Sequence, residues 1–475
     1  MAIVFTGRSP GSRSRDLAEA VVRRAWKHAA RPEGEAAAPG ACRQRILHGV
    51  RTDRVGIIRR MRRLLVVAGV LILLVGVVAA YFESTNRYGG SVRGTSTEFD
   101  PTQAAAPAPE GSIVSPMFGG VPQHLHVGVG KVRPPFRRDW VTGGTSLIEF
   151  PPAIAFHYLY YAALNGNLIA VSTRNGRRLW TVHVGRCEAA GPAVNRLGRG
   201  TVFETFLNKV PCGRGSAQQG DGQILAVAAG RAHTLRWSRN LGATETSPII
   251  VGNRIFIGDY GGNVYCLRGL DGHTIWTFHA AGEVKGAITY DRGRVFFGAY
   301  DGRLYALRAS DGKPIWRAES NRDWLGNHGQ FYSTPSVAYS RVYLGSTDGH
   351  VYSFGEQSGK LRWSYKTGGF VYGSPAVWHG RVFVGSYDRM FYAFDAATGA
   401  VLWKFQANGP ISGSATVVDG IVYFATLKRR TYALDASTGK QVWTFPDGAF
   451  TPVVTDGHRL YLVGWGKVYA FSPRK

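Results

Sequence analysis

Apolar residues come in short runs that alternate with polar ones, and glycine-bearing turns separate the runs from about residue 140 to the C-terminus. One stretch shows the pattern well. Ser374-Pro375-Ala376-Val377 precedes a His379-Gly380 turn and Val382-Phe383-Val384-Gly385. A turn at Asp388 then leads to Phe391-Tyr392-Ala393-Phe394, and a Thr398-Gly399 turn to Val401-Leu402-Trp403-Lys404-Phe405. Alternation over a few residues, bounded by turn formers, predicts strands. The stretch reads as four short antiparallel strands with three tight turns.

The unit recurs. Trp stands at Trp140, Trp180, Trp237, Trp276, Trp316, Trp363, Trp403 and Trp443, at intervals of 40, 57, 39, 40, 47, 40 and 40. Six of them have a glycine four residues upstream: Gly176, Gly272, Gly312, Gly359, Gly399 and Gly439. Each glycine follows Asn, Asp, Ser or Thr, the pairing that a turn with positive φ favours. Before Trp237 the glycine is replaced by His233. Four-stranded units repeated radially predict an all-β, eight-bladed β-propeller. Each Trp on a fourth strand is expected to wedge between blades, where its large apolar area is buried. Only three strands follow Trp443, while Trp140 lacks strands of its own ahead of it. An N-terminal strand is therefore expected to complete the eighth blade and leave no open edge.

Ahead of the repeats, Leu64 to Phe82 form an uncharged apolar run as long as a membrane-spanning helix requires. Arg59, Arg60, Arg62 and Arg63 precede it and Glu83 follows, so the positive-inside rule places the N-terminus in the cytoplasm. A cleaved signal peptide competes, with Val77 and Ala79 as its peptidase motif. The long tail and the length of the run favour an uncleaved signal anchor. The expected organisation is a basic, mostly disordered cytoplasmic tail at 1–63 with a short amphipathic helix in Asp16–Ala30, and a transmembrane helix at 64–82. A flexible linker rich in Gly, Ser, Thr, Pro and Ala follows at 83–122, then an extracytoplasmic propeller at 123–475.

Net charge is +26, and residues 1–63 carry 15 Lys or Arg against 5 Asp or Glu. The remaining excess is spread along the chain as an ordinary basic surface, so no nucleic acid partner is expected.

The sequence Tyr-Ala-Phe/Leu-Asp, then Thr-Gly, then Trp, seen at Tyr392–Trp403 and Tyr432–Trp443, resembles the pyrroloquinoline-quinone (PQQ)-like repeat. Weaker copies cover about residues 140–475. The family holds both quinoprotein dehydrogenases and non-enzymatic relatives such as the outer-membrane lipoprotein BamB, so the resemblance implies a propeller more firmly than an activity. In the dehydrogenases the quinone lies between a Trp and a disulfide of adjacent cysteines, beside calcium and an Asp base. Here the cysteines are Cys42, Cys187, Cys212 and Cys266, none adjacent. Asp301, Asp348 and Asp388 recur once per blade as turn formers. No catalytic residue, cofactor or metal is expected, and the chain reads as a non-enzymatic, BamB-like single-pass membrane protein.

Strand order puts the link carrying Cys187 and the insertion carrying Cys212 at one end of the propeller. An oxidising compartment permits a bond there, and a Cys187–Cys212 disulfide is expected to staple Asn208–Gly220. Cys266 is expected to be buried and inert. Two departures from the forty-residue period mark candidate partner-binding surface, because loops on a rigid scaffold carry recognition. One is this insertion, with Lys209 and Arg214. The other is Asn321–Tyr332, with Arg322, Trp324, His328, Phe331 and Tyr332. Aromatic residues beside Arg are interface chemistry; packing of the loop on its own blades is the plain alternative. Glu245, Glu283, Lys285 and Tyr372 are expected to rim the central opening at the same end.

The expected function is a membrane-anchored, extracytoplasmic scaffold that binds an envelope protein or an anionic surface polymer. The alternatives are a PQQ-dependent dehydrogenase or its degenerate descendant, and a transmembrane ligand sensor.

Overall fold

The fold was obtained as a computed structural model, which describes residues 65–73, 75–76, 89–103, 112–208, 221–450 and 453–474. Residues 65–73 and 75–76 are helical and belong to a unit of their own. Among the described residues no helix is long and apolar enough to cross a membrane. The rest of the expected span and the whole tail at 1–63, with its expected helix, lie outside the described residues.

Among the described residues the second unit holds eight sheets, each built on four antiparallel strands. Blades 1 to 7 occupy residues 153–183, 193–241, 249–279, 289–319, 336–366, 376–406 and 416–445, and blade 8 combines residues 454–473 with strand Phe136–Gly143. The strands form where the alternation predicts them. In blade 6, Arg381–Gly385 pairs with Met390–Asp395, which pairs with Val401–Gln406. Their apolar faces meet the neighbouring blades, so the core is a set of clusters lying between sheets. The recurrent aspartates do close turns: Asp388 accepts the Met390 N–H at 2.8 Å and the Tyr392 hydroxyl at 2.6 Å, and Asp348 does the same for His350 and Tyr352 at 2.8 and 2.5 Å.

The tryptophans wedge as expected and also tie one blade to the next. For seven of them, all but Trp443, the indole N–H donates to a backbone carbonyl of the following blade, as with Trp276 to Ala309 at 3.0 Å, Trp363 to Ala396 at 2.9 Å and Trp403 to Ala436 at 3.2 Å. The glycine upstream of a Trp serves a different Trp from the one it precedes. Gly312 lies on the ring of Trp276, Gly399 on Trp363 and Gly439 on Trp403, all with φ near +70°. In blade 2 His233 takes the glycine's place, and its own ring lies 5.7 Å from that of Trp180.

Closure follows the expected plan. Phe136–Gly143 pairs antiparallel with Lys467–Pro473, with Trp140 opposite Ala470. Blade 8 has no turn glycine to cover Trp443, and Phe136 packs edge-on against that ring instead, at 5.3 Å.

Within the expected linker at 83–122, the described residues 89–103 and 112–122 are held against the blades. Residues 89–103 form a strap down the outer flank of blade 5: Val92 pairs with Ser364, Arg341 donates to the carbonyls of Thr95, Thr97 and Glu98, and Glu98 meets Arg362 at 2.6 Å. Residues 113–130 form a belt inside the ring. Ile113–Ser115 adds a fifth strand to blade 1 and Val127–Gly128 a fifth to blade 7, a second departure from uniform four-stranded blades. Between them Pro116, Pro122, Gln123, Leu125 and His126 accept N–H groups of Val194, Tyr290, Val337, Val377 and Val417, at 2.7 to 3.0 Å. A Gly- and Pro-rich segment is ordered here because the inner strands offer it unpaired backbone donors.

Candidate functional site: the two ends of the axis

Antiparallel order gathers the links between blades, and the turns between second and third strands, at one end of the axis. The other turns lie at the opposite end. The first is the link end and the second the turn end.

At the link end tyrosines converge. Tyr332 lies 5.2 Å from Tyr372 and 6.3 Å from Tyr300, and Tyr372 lies 5.0 Å from Tyr387, all measured between ring centroids. The Tyr332 hydroxyl reaches Glu245 at 3.5 Å. Lys285 pairs with Glu283 at 2.9 Å and stands 4.2 and 4.7 Å from the ring centres of Tyr260 and Tyr300. The expected rim residues Glu245, Glu283, Lys285 and Tyr372 are thus found at this end.

Three more carboxyls there escaped sequence reasoning: Glu149, Glu188 and Glu204. Glu188 accepts the Ala190 N–H, and Glu204 the Thr205 N–H at 3.0 Å. Among the described residues, the second oxygen of each, and Oε2 of Glu149, has no hydrogen-bond partner. Burial, with each neighbouring carboxyl adding to it, pushes Glu149 up to about 7 and Glu188 up to about 8, and raises Glu204 as well. Glu204 had a visible signal, since it interrupts the otherwise apolar and hydroxylic strand Thr201–Phe206.

This end does not fit PQQ. Where a fused-ring tricarboxylate would lie, the opening is lined by the carboxyls of Glu149 and Glu245, and the cation beside them, Lys285, is already paired with Glu283. The chain has no adjacent cysteines. Among the described residues no group of three His, Cys, Asp or Glu is placed to hold a metal ion.

The loop Asn321–Tyr332 is divided by the fold. Phe331 is fully buried against Gly298 and Tyr352, His328 is partly buried with Nδ1 2.9 Å from the Ser320 carbonyl, and Tyr332 faces the axis. The residues between form an exposed tip. Arg322 bridges His328, and Asp323 holds the turn by accepting the N–H groups of Leu325 and Asn327 at 2.9 and 2.8 Å. Arg322 pairs with Glu319 at 3.0 Å, while Trp324 and Leu325 are 63% and 59% exposed.

Cys187 is buried and disulfide-bonded. Its backbone pairs with Leu207 and Asn208, at the base of the insertion. Its sulfur's partner, the expected Cys212, and Lys209 and Arg214 all lie outside the described residues. Cys266 is a buried free thiol that burial pushes up to about 11.

At the turn end the belt and the inner strands enclose a cavity of about 850 Å³. Its walls are apolar, among them Met117, Leu125, Val194, Ile250, Val377 and Val454, and it reaches Gly252 and His379 at the surface turns. Two wall residues carry buried polar atoms with no hydrogen-bond partner among the described residues, Asn195 Nδ2 and His126 Nε2. A concave, mostly apolar space of this size with a few convergent polar groups suits a bound ligand or side-chain cluster. The sequence hid it because the belt had the composition of a spacer.

Comparison with known proteins agrees with the repeat. A family model described as "Outer membrane protein assembly factor BamB" matches residues 220–369, 306–416 and 392–475. The crystal structure of BamB from Moraxella catarrhalis superposes with a TM-score of 0.57 at 18% identity, covering 71% of this chain and 99% of that one. A europium-containing methanol dehydrogenase gives 0.63 at 12%, covering 76% and 98%. The quinohemoprotein alcohol dehydrogenase from Comamonas testosteroni gives 0.61 at 13%, covering 76% and 81%. At these identities the likeness is one of fold. No curated protein sequence matches. With matches that together span residues 220–475, more than half of its length, the chain belongs to the family of the outer membrane protein assembly factor BamB.

Proposed function

We propose that the protein is a membrane-tethered, extracytoplasmic scaffold without enzymatic activity, and that it holds an apolar segment of an envelope protein at its turn end. The observation that carries this reading is the cavity of about 850 Å³, walled by the belt and the inner strands. A rigid ring of blades keeps such a space open at little entropic cost, and the orphan Asn195 and His126 nitrogens supply points of register for a partner's carbonyls. The apolar run 64–82 supports the tether, and the carboxyl-rich link end argues against a quinone.

A photo-crosslinker placed at His379 in the native membrane tests the reading. It should capture an envelope protein, and the adduct should vanish when Val251→Trp fills the cavity. An adduct unaffected by filling would sink the cavity as the site. In the same preparation, dye reduction by alcohols after addition of PQQ and calcium would sink the non-enzymatic part.

A further inference from the structure

We infer that the link end faces the lipid bilayer and that the Trp324–Leu325 tip sits in the interfacial layer of that bilayer. The inference rests on the tether reading and goes beyond it by fixing which end of the propeller lies against the membrane.

The strap carries the argument. It enters beside the link end of blade 5, where the Lys366 N–H donates to Ser91 Oγ at 2.9 Å. From there it descends to the turn end, where the Asp100 N–H reaches the Tyr339 carbonyl at 3.1 Å and the Ser340 hydroxyl reaches Gln103 at 2.7 Å. The strap's first described residue, Gly89, lies against the root of the tip: a β-carbon there would be 3.8 Å from Asn321 Nδ2. Only residues 83–88 separate it from the end of the apolar run at Phe82. Seven peptide steps at about 3.5 Å each hold Gly89 within about 25 Å of the bilayer surface. The chain therefore reaches the membrane within about 25 Å of the root of the tip.

The tip has the chemistry of that layer. Trp is enriched where apolar tails meet head groups. Trp324 and Leu325 are both exposed on a turn that Asp323 holds in shape, and the guanidinium of the preceding Arg322 is held by Glu319. Phe370, 42% exposed in the link between blades 5 and 6, adds a further apolar group at the same end. One such contact is weak alone, but a short tether gives it a high effective concentration.

The test uses the full chain with Cys42→Ser, reconstituted in nanodiscs of phosphatidylcholine and phosphatidylglycerol. A polarity-sensitive dye is attached through Leu325→Cys, or through His458→Cys at the turn end, and the parent without either gives the background. Spin-labelled lipid should quench the Leu325 site severalfold more than the His458 site. Equal quenching, or stronger quenching at His458, overturns the orientation while leaving the scaffold intact. A Leu325 probe unquenched in pure lipid but shielded in native membranes also overturns it, because the tip then meets a protein. A chain that does not co-purify with nanodiscs overturns the tether reading and this inference together.

Discussion

Gly399 in blade 6 lies flat on the indole of Trp363 in blade 5: a β-carbon added to it would sit 2.6 Å from Cδ2 of that ring. Its φ of +72° alone would make alanine costly. Gly399→Ala should therefore lose about 2–4 kcal/mol, from left-handed strain and overpacking together. Gly380 has the same φ, +71°, but open space around it, so Gly380→Ala should lose only about 1 kcal/mol. Urea unfolding of the pair separates the two terms, and equal losses would refute the inter-blade contact.

His233→Gly in blade 2 should change stability by less than about 1 kcal/mol. His233 sits at φ +39°, which costs about 1 kcal/mol, and its ring contact with Trp180 returns about 0.5–1.5 kcal/mol. A large loss in the same unfolding assay would mean that the histidine has a role beyond filling the glycine's place.

Glu98 fastens the strap through Arg362. Burial raises its carboxyl, but the bonds from Ser358 and Arg362 outweigh that and leave it below the usual range. A depressed carboxyl stabilises fully above its unfolded value near 4.5, and that stabilisation is lost as pH falls through the folded value. Hydrogen-exchange protection of the strap amides should thus fall as pH drops below 4.5, and trypsin cleavage after exposed Arg93 should be several-fold faster in Arg362→Ala at neutral pH. Cleavage at an unchanged rate would mean that other contacts hold the strap.

In the belt, burial pushes His124 down to about 4 and His126 down to about 3. Their contribution is complete above the unfolded value of 6.5 and is lost as pH falls toward those folded values. From 6.5 to 4, His124 alone accounts for on the order of 3 kcal/mol. Glu149 and Glu188, raised by burial, act in the opposite sense and lose their contribution as pH rises past 4.5. The clean readout is therefore the difference between the wild type and His126→Phe. The variant should gain relative stability as pH falls below 6.5, and a constant difference would rule out a neutral buried His126.

Non-reducing peptide mapping should find Cys187 joined to Cys212. Closing a loop of that length stabilises by about 3 kcal/mol in the chain-entropy account, so Cys187→Ser should lose a comparable amount. A Cys187–Cys42 peptide would refute the pairing and the assignment of Cys42 to the cytoplasm.

The blades were legible because strand alternation is a local signal repeated eight times and the turn glycine one repeated six times. Closure through Trp140 was legible too, since an orphan repeat at one terminus matched an incomplete one at the other. The partner of each glycine was not: Gly399 precedes Trp403 in sequence but packs on Trp363, and no local pattern distinguishes the two. The strap and belt were hidden for another reason. Their order comes from backbone groups of other segments, as when Leu125 accepts the Val377 N–H at 3.0 Å, and backbone pairing leaves no hydrophobic period to read. Phe331 and Trp324 share one loop and one residue class, yet only the fold buries the first and exposes the second.

Asp139 bonds Ser472 across 333 positions of sequence. A strand made early thus waits for the last one before it is paired, and loop closure on that scale is slow. Through that interval blade 1 offers an open flank to any chain nearby. A nascent chain tethered by its N-terminus, as proposed above, would keep that flank in one place, where a folding helper meets it before a second copy does.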